Sequence, residues 1–229
     1  MNSLDLYANI EDLLGLDEAK DTLNSYYFDT LSNHSFNSII DIGCGKGEFL
    51  LEIKNSFNPN RVLGVDLSDV MVSYTSKLGI DAKNIDISQI DEKFDVVTAV
   101  FDMLNYLDKD KLKTFMRSVE NILENDGLFL LDINSLEGFE EVAVGSFIVD
   151  DDSRFLAIDS EFEDNIYSSN FTLFKQDGDK FIKYQSTINQ YYHTIKEITK
   201  LTNLELIDTQ KISLYEDVDD KILLMFKKS

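Results

Sequence analysis

The sequence predicts a doubly wound α/β fold, with helices added in front of it and an antiparallel β-sheet inserted near its end. Three observations carry this expectation. First, an isoleucine-rich stretch, Ser38-Ile-Ile-Asp-Ile42, leads into Gly43, Gly45 and Gly47, and Phe49, Ile53 and Phe57 then recur at four-residue spacing. That order is strand, glycine turn, helix, the first unit of a nucleotide-binding sheet. Second, apolar strand-like runs alternate with helical patterns as far as Ile133. Third, the alternation stops there, and from about Gly145 to Tyr192 the pattern is β throughout.

The spacing of the glycines narrows the ligand. A dinucleotide turn needs G-x-G-x-x-G and a phosphate loop needs G-x-x-x-x-G-K-[ST]. This chain has D-x-G-x-G-x-G, with Asp41 at the end of the strand. A carboxylate there repels a pyrophosphate and suits a cation. A side chain at Gly43 or Gly45 would keep a ligand from the backbone. Cys44, between them, is a small filler of the turn. The next strand, Arg61 to Asp66, ends in an acid 19 residues after Gly47. In doubly wound folds an acid about 20 residues on binds ribose hydroxyls, because a carboxylate accepts two hydrogen bonds from a vicinal diol.

Composition sets outer limits. The 229 residues suffice for one α/β domain with additions, and 43% hydrophobic content supports a packed core. Lys and Arg number 21 against 43 Asp and Glu, a net charge of −22. Such a surface disfavours nucleic acid and anionic membranes as partners. The single cysteine excludes an internal disulfide framework. There is no His/Cys cluster of metal-ligand spacing. No apolar run reaches membrane-spanning length, and the acids Asp5, Glu11 and Asp12 do not suit a signal peptide, so a cytoplasmic chain is expected.

The remaining segments follow in order. Residues 2–31 read as two aromatic helices broken near Gly15, and His34 falls in the connection that follows. Asn58-Pro59-Asn60 stops the first core helix. Ser68 reads as the N-cap of a helix that starts with Val70 and Met71, so Leu67 and Met71 would lie beside the nucleoside whose ribose Asp66 would bind. A short strand precedes Asp86-Ile87, and Phe94 to Val100 is the most continuous strand pattern. Phe101-Asp-Met-Leu-Asn-Tyr-Leu107 follows its carboxyl end, where ligands of open α/β sheets bind. Asp102, Asn105 and Tyr106 are therefore substrate-site candidates. Leu112, Phe115, Val119 and Ile122 mark a helix that Asp126-Gly127 is expected to end, and Leu128 to Ile133 is the fifth strand. Asp177-Gly178 signals a hairpin within the insert. Thr194 caps a short helix, and Leu204 to Ile212 with Ile222 to Phe226 closes the sheet as an antiparallel pair.

Asp41-Ile-Gly-Cys-Gly-Lys-Gly47 resembles the first motif of the class I S-adenosylmethionine-dependent methyltransferases. Asp86-Ile-Ser88, Phe94-Asp95 and Asp102-Met-Leu-Asn-Tyr-Leu107 resemble a bacterial small-molecule group of that family with an inserted antiparallel sheet. The resemblance implies a seven-stranded, mostly parallel Rossmann-like sheet whose last pair is antiparallel. It implies an N-terminal helical cover (1–35), an α/β core (36–137 and 193–229) and an inserted β subdomain (138–192). It implies S-adenosyl-L-methionine as cofactor, S-adenosyl-L-homocysteine as product, and a small-molecule substrate. Asp86 and Ile87 would meet the adenine, Tyr7 would cover the cofactor and Phe101 would border it. The insert departs from its relatives at Ile158, where they often carry tryptophan, and at Thr187 and Gln190, where histidine and arginine are common.

Methyl transfer from a sulfonium needs alignment and exclusion of water, and a base only when the acceptor arrives protonated. The catalytic candidates are accordingly Asp102, Tyr106 and His193, with Asn105 and Tyr27 beside the substrate; no metal is expected. Three readings stand side by side: methylation of nitrogen or oxygen on a small molecule, an NAD-dependent oxidoreductase, and a non-catalytic S-adenosylmethionine-binding protein. Monomer and homodimer are both compatible with the sequence.

Overall fold

The computed structural model describes residues 3–215 and 218–229; Met1, Asn2, Glu216 and Asp217 lie outside the described residues. The chain opens with α1 (Ser3–Ala8), a single 3-10 turn (Glu11–Leu13) and α2 (Asp17–Ser32). The core then alternates β1 (Ser38–Ile42), α3 (Glu48–Phe57), β2 (Arg61–Val65), α4 (Asp69–Lys77), β3 (Asp81–Lys83), β4 (Phe94–Ala99), α5 (Lys109–Ile122) and β5 (Leu123–Asn134). Four strands follow: β6 (Gly145–Asp151), β7 (Arg154–Glu163), β8 (Ile166–Asp177) and β9 (Lys180–Tyr191). The chain returns through α6 (Ile195–Thr199) to β10 (Glu205–Ile212) and β11 (Lys221–Lys227).

The main sheet has the order β10-β11-β5-β4-β1-β2-β3, parallel except for β11, which runs against both neighbours. Strand order reverses between β1 and β4, so the crevice beyond their carboxyl ends is the expected ligand position. Both faces of this sheet are buried, which explains the isoleucine run of β1. Ile39 packs with Leu23, Tyr27, Leu50 and Ile53 on one face, while Ile40 packs with Phe115, Val119 and Phe129 on the other. Each such side chain removed from water stabilises the fold by about 1.5–3 kcal/mol.

The expected antiparallel insert is present as a separate sheet of order β6-β7-β8-β9. The hairpin expected at Asp177-Gly178 is formed: Asp177 pairs with Lys180, and Gly178 takes φ +61° in the two-residue turn. One face of this sheet is covered by α1 and the turn after it, from which Leu6 and Ile10 pack against Leu156, Phe171 and Leu173. The N-terminal cover thus has two apolar partners: Leu6 packs on the insert, whereas Leu23, Tyr27 and Leu31 of α2 pack in the core. Arg154 of β7 binds both oxygens of Asp12 at 3.0 and 2.7 Å and the Asn9 carbonyl at 3.0 Å, fastening the two additions together.

One expected boundary is corrected. Asp126-Gly127 does not end the helix; α5 stops at Ile122 and Asp126-Gly127 lies inside β5. The register of β4 against β5 jumps from Phe94–Leu123 to Val96–Leu128, so the intervening residues bulge out of the ladder. Asp126 takes φ +62° there, and its amide still bonds the Lys228 carbonyl at 3.0 Å. A turn-forming dipeptide serves a bulge as well as a helix end.

Candidate active site

The glycine turn leaves β1 and folds back on β2: the amides of Gly43 and Cys44 donate to the Val65 carbonyl at 2.8 and 3.0 Å. Gly43 has φ +78°, and a Cβ there would sit 2.7 Å from Met103 Cγ in the loop after β4. Gly45 differs. It has φ +53°, and a Cβ built on it meets no protein atom within 4 Å. The turn is therefore open at Gly45 and closed at Gly43 against the β4 loop. Cys44 packs beneath, with its thiol 3.8 Å from Thr75 Oγ1, and burial pushes its pKa well up. That thiol is a filler and not a nucleophile.

Two carboxylates frame the open position. Asp41, at the end of β1, is buried, and its Oδ1 accepts a hydrogen bond from Thr98 Oγ1 at 2.7 Å. Burial raises its pKa to about 8, only partly countered by Thr98. Asp66 follows β2; its Oδ2 accepts the Gly45 amide at 3.0 Å and its Oδ1 the Ser68 amide at 2.8 Å. Burial raises its pKa as well, opposed by those amides. Among the described residues no Lys, Arg or His forms an ion pair with either acid. Asp66 keeps a lone pair on each oxygen beyond the amide it already holds. An open glycine, a carboxylate with spare acceptors and a buried acid lacking a cation together fit a ligand with a diol at one end and a positive charge at the other.

The other expected cofactor residues flank this row. Leu67 is 60% exposed beside Asp66, and Met71 is buried under it. Asp86 is exposed; one of its oxygens accepts the Ser88 amide at 2.9 Å and the Ser88 hydroxyl at 2.6 Å. Ile87 is buried beneath it. Phe101 lies past the end of β4, with φ +61°. Strand order β4-β1-β2-β3 therefore sets Phe101, Asp41, Asp66 and Asp86 side by side along one edge of the sheet. Tyr7 reaches in from α1, and its hydroxyl pKa is raised by burial and then by Glu11 and Asp102. Glu11 also ties the cover to the turn, since Lys46 stands 3.1 Å from its Oε2 and Lys20 pairs with its Oε1.

The substrate-site candidates separate into two groups. Tyr106 is half-buried, and its hydroxyl pKa is raised by burial and by Tyr7, Asp102 and Tyr167, so it shares the space under the cover with Tyr7. Tyr27 and Asn105 are different: both are fully buried, and their polar atoms are spoken for. Tyr27 Oη donates to Asp132 Oδ1 at 2.7 Å. Asn105 Nδ2 donates to the Tyr191 carbonyl at 2.8 Å, and its Oδ1 accepts the Asn134 amide at 2.9 Å. Tyr27 thus ties α2 to β5, and Asn105 ties the loop after β4 to the ends of β9 and β5. His193 is buried with Nε2 2.8 Å from the Leu107 carbonyl, and burial lowers its pKa. It precedes Thr194, which caps α6 as expected; the hydrogen bond to Leu107 gives it a structural partner.

Asp102 lies at the centre of a buried cluster that sequence reasoning missed. Lys221, 3% exposed at the start of β11, donates to Asp102 Oδ1, and Gln190 of β9 donates to Asp102 Oδ2. Lys221 also stands 3.2 Å from Asp132 Oδ2 and 2.8 Å from Asn134 Oδ1. Asp132 in turn accepts the Phe101 amide at 2.6 Å and the Asp102 amide at 2.8 Å. Phe101 and Asp102 are two consecutive left-handed residues, φ +61° and +54°, a conformation costing about 1–3 kcal/mol each. Both oxygens of Asp102 are thus engaged within the protein. Burial raises the Asp102 pKa and the two acids hold that of Lys221 well above its usual value. The one local signal was the Asp that ends the apolar run Leu128-Phe-Leu-Leu-Asp132, which repeats the strand-end acids of β1 and β2.

Comparison with known proteins agrees with this geometry. The profile of a family described as "Methyltransferase domain" matches residues 39–127. A solved S-adenosylmethionine-dependent methyltransferase from Clostridium acetobutylicum is 26% identical, with a TM-score of 0.81 and 99% of each chain covered. The sugar N-methyltransferase KedS8 of Streptoalloteichus is 16% identical, with a TM-score of 0.76 over 99% of this chain and 93% of that one, a likeness of fold. Malonyl-[acyl-carrier protein] O-methyltransferase of Bacillus anthracis is 28% identical over 149 residues, which are 61% of this chain and 51% of that protein. The curated relatives are matched over 30% to 51% of their own lengths.

Proposed function

We propose, on the premise that the chain belongs to the class I S-adenosylmethionine-dependent methyltransferases, that it transfers a methyl group from that cofactor to nitrogen or oxygen of a small molecule. The observation that carries this reading is the row at the carboxyl edge of the sheet: Asp41 with no cation paired to it among the described residues, Gly45 open to a ligand, Asp66 with spare acceptors. When bound there, the cofactor supplies a methyl group on a positively charged sulfur. Asp66 would hold the ribose hydroxyls, Asp86 and Ile87 the adenine, and Asp41 the positive amino-acid end. Phe101 would border that end, with Gly43 and Cys44 in the turn and Leu67 and Met71 beside the adenosine.

The acceptor site would lie between the β4 loop, α1 and the insert. Tyr7 and Tyr106 would line that space, and the apolar contact of the N-terminal segment with the insert would keep water from it, which displacement at a sulfonium requires. Asp102, with both oxygens engaged, supports the loop and does not take up the acceptor's proton. Neither Tyr106 nor Tyr7 ionises readily, so an acceptor amine would enter as the free base. Amine acceptors are favoured over phosphate-rich ones by the net charge of −22. Proteins of the same fold described as a sugar N-methyltransferase and an amino pentose methyltransferase support an amino group on a small, hydroxylated molecule. Among the described residues no helix is long and apolar enough to cross a membrane, and no cluster of His, Cys, Asp or Glu could hold a metal ion.

The test is calorimetry with S-adenosylmethionine and with NAD, followed by a panel of amino sugars, small amines and small alcohols scored for S-adenosylhomocysteine release. Binding of S-adenosylmethionine alone, with turnover on a member of the panel, is expected. Binding of NAD would overturn the reading, and binding without turnover on any acceptor class would mark a non-catalytic binder.

A further inference from the structure

The geometry points to Lys221 as a positioning residue for the amino-acid end of the cofactor: through Asp102 and Asp132 it holds Phe101 and Asp102 in the left-handed conformation that forms the wall beside Asp41. The inference rests on S-adenosylmethionine being the ligand. It concerns a residue 119 positions from the loop it would control, in a strand that contributes nothing else to the row of carboxylates.

Three observations carry it. The first is where the strain lies. Phe101 and Asp102 sit past the end of β4, the strand adjoining β1, whose Asp41 pairs in register with Thr98. The loop also touches the glycine turn, since Met103 Cγ occupies the space a Cβ on Gly43 would need. A shift in residues 101–103 is therefore a shift in the wall of the site at Asp41. The second is how completely the loop is held. Asp132 gives one oxygen to each of the two strained amides, Lys221 pairs with both acids, and Gln190 takes the remaining oxygen of Asp102. Lys221 Nζ also stands 5.0 Å from the centre of the Phe101 ring, over its face. The third is chemical economy. Replacing a buried ion pair with apolar groups is often neutral for stability, so stability is a weak reason for this arrangement, and strained residues persist where their surroundings over-determine them. The cluster does not extend to Asp66, whose oxygens bond the amides of Gly45 and Ser68.

Control of one end of the ligand and not the other can be read with two probes. S-adenosylhomocysteine has the adenosine and the amino acid; 5′-methylthioadenosine has the adenosine alone. Both are titrated by calorimetry into the full chain and into Lys221→Met, with 5′-methylthioadenosine taken to millimolar concentration. Lys221→Met is expected to weaken S-adenosylhomocysteine at least tenfold and to leave 5′-methylthioadenosine within threefold. Equal weakening of both probes would mean general loosening and would overturn the proposal, as would unchanged binding of both. If Lys221→Met does not fold because two acids are left without their cation, Lys221→Met with Asp102→Asn leaves only Asp132 charged, among its Tyr27, Phe101 and Asp102 donors, and is judged by the same two ratios. Failure of the unaltered chain to bind either probe would instead reject the cofactor assignment.

Discussion

Ser68 Oγ donates a hydrogen bond to Asp5 Oδ1 at 2.9 Å, which joins α1 to the N-cap of α4. The same hydroxyl accepts the Met71 amide at 3.3 Å, and the Ser68 amide bonds Asp66. One buried serine thus couples the cover, a helix start and the carboxylate proposed to hold the ribose. Ser68→Ala removes the cap and the tether together. A loss of about 1 kcal/mol in urea unfolding is expected, with S-adenosylhomocysteine affinity reduced several-fold. Unchanged affinity in an otherwise destabilised variant would show that α1 does not order the site.

Asp41 makes the stability of the ligand-free protein sensitive to pH. Its pKa in the folded chain is about 8, above the ordinary carboxylate value. A raised value means the folded state prefers the protonated acid. That contribution to stability is complete below the unfolded pKa and is lost as pH rises through about 8. The ligand-free protein should therefore melt at a falling temperature from about pH 4 to 8, and Asp41→Asn should flatten that slope. A ligand ammonium beside Asp41 favours the carboxylate, so binding at pH 7 should release a proton. Calorimetry in buffers of different ionisation enthalpy measures this release. A release that persists in Asp41→Asn would assign it to another group.

Tyr27→Phe tests the buried end of the cluster. The hydroxyl bonds Asp132 at 2.7 Å in a fully buried position, so its removal should cost about 1–3 kcal/mol in chemical denaturation. The phenyl ring keeps its edge contact with Phe49, at a centroid distance of 5.5 Å, so the packing loss is small. A variant within a few tenths of a kcal/mol of the parent would show that Asp132 is satisfied without it.

Which parts of this site could be read from sequence follows from the range of the interactions. The glycine turn, Asp41, Asp66 and the Ser68 cap are local features, set within a strand, a turn and a helix start, and residue spacing exposes them. The inserted sheet was legible because alternation and a hairpin dipeptide persist over its length. Lys221 and Asp102 meet across 119 residues, and no periodic pattern records which strand end faces which loop. The internal hydrogen bonds of Tyr27 and Asn105 are hidden from sequence for a related reason. An aromatic on a covering helix, or an amide in a ligand-side loop, has the same sequence signature whether it points outward or ties two strands together. Asp126-Gly127 shows the limit within a local motif, because left-handed φ serves bulges and helix ends alike.

The row of strand-end carboxylates is proposed to hold S-adenosylmethionine, with Asp66 on the ribose. Titration of S-adenosylmethionine into the parent chain and into Asp66→Ala tests it most directly. The parent should bind at one site, and the variant should lose about 2 kcal/mol or more, roughly a thirtyfold rise in Kd, because two charge-assisted hydrogen bonds are removed. Equal affinity in the two proteins, or a parent chain that does not bind S-adenosylmethionine, would contradict the account.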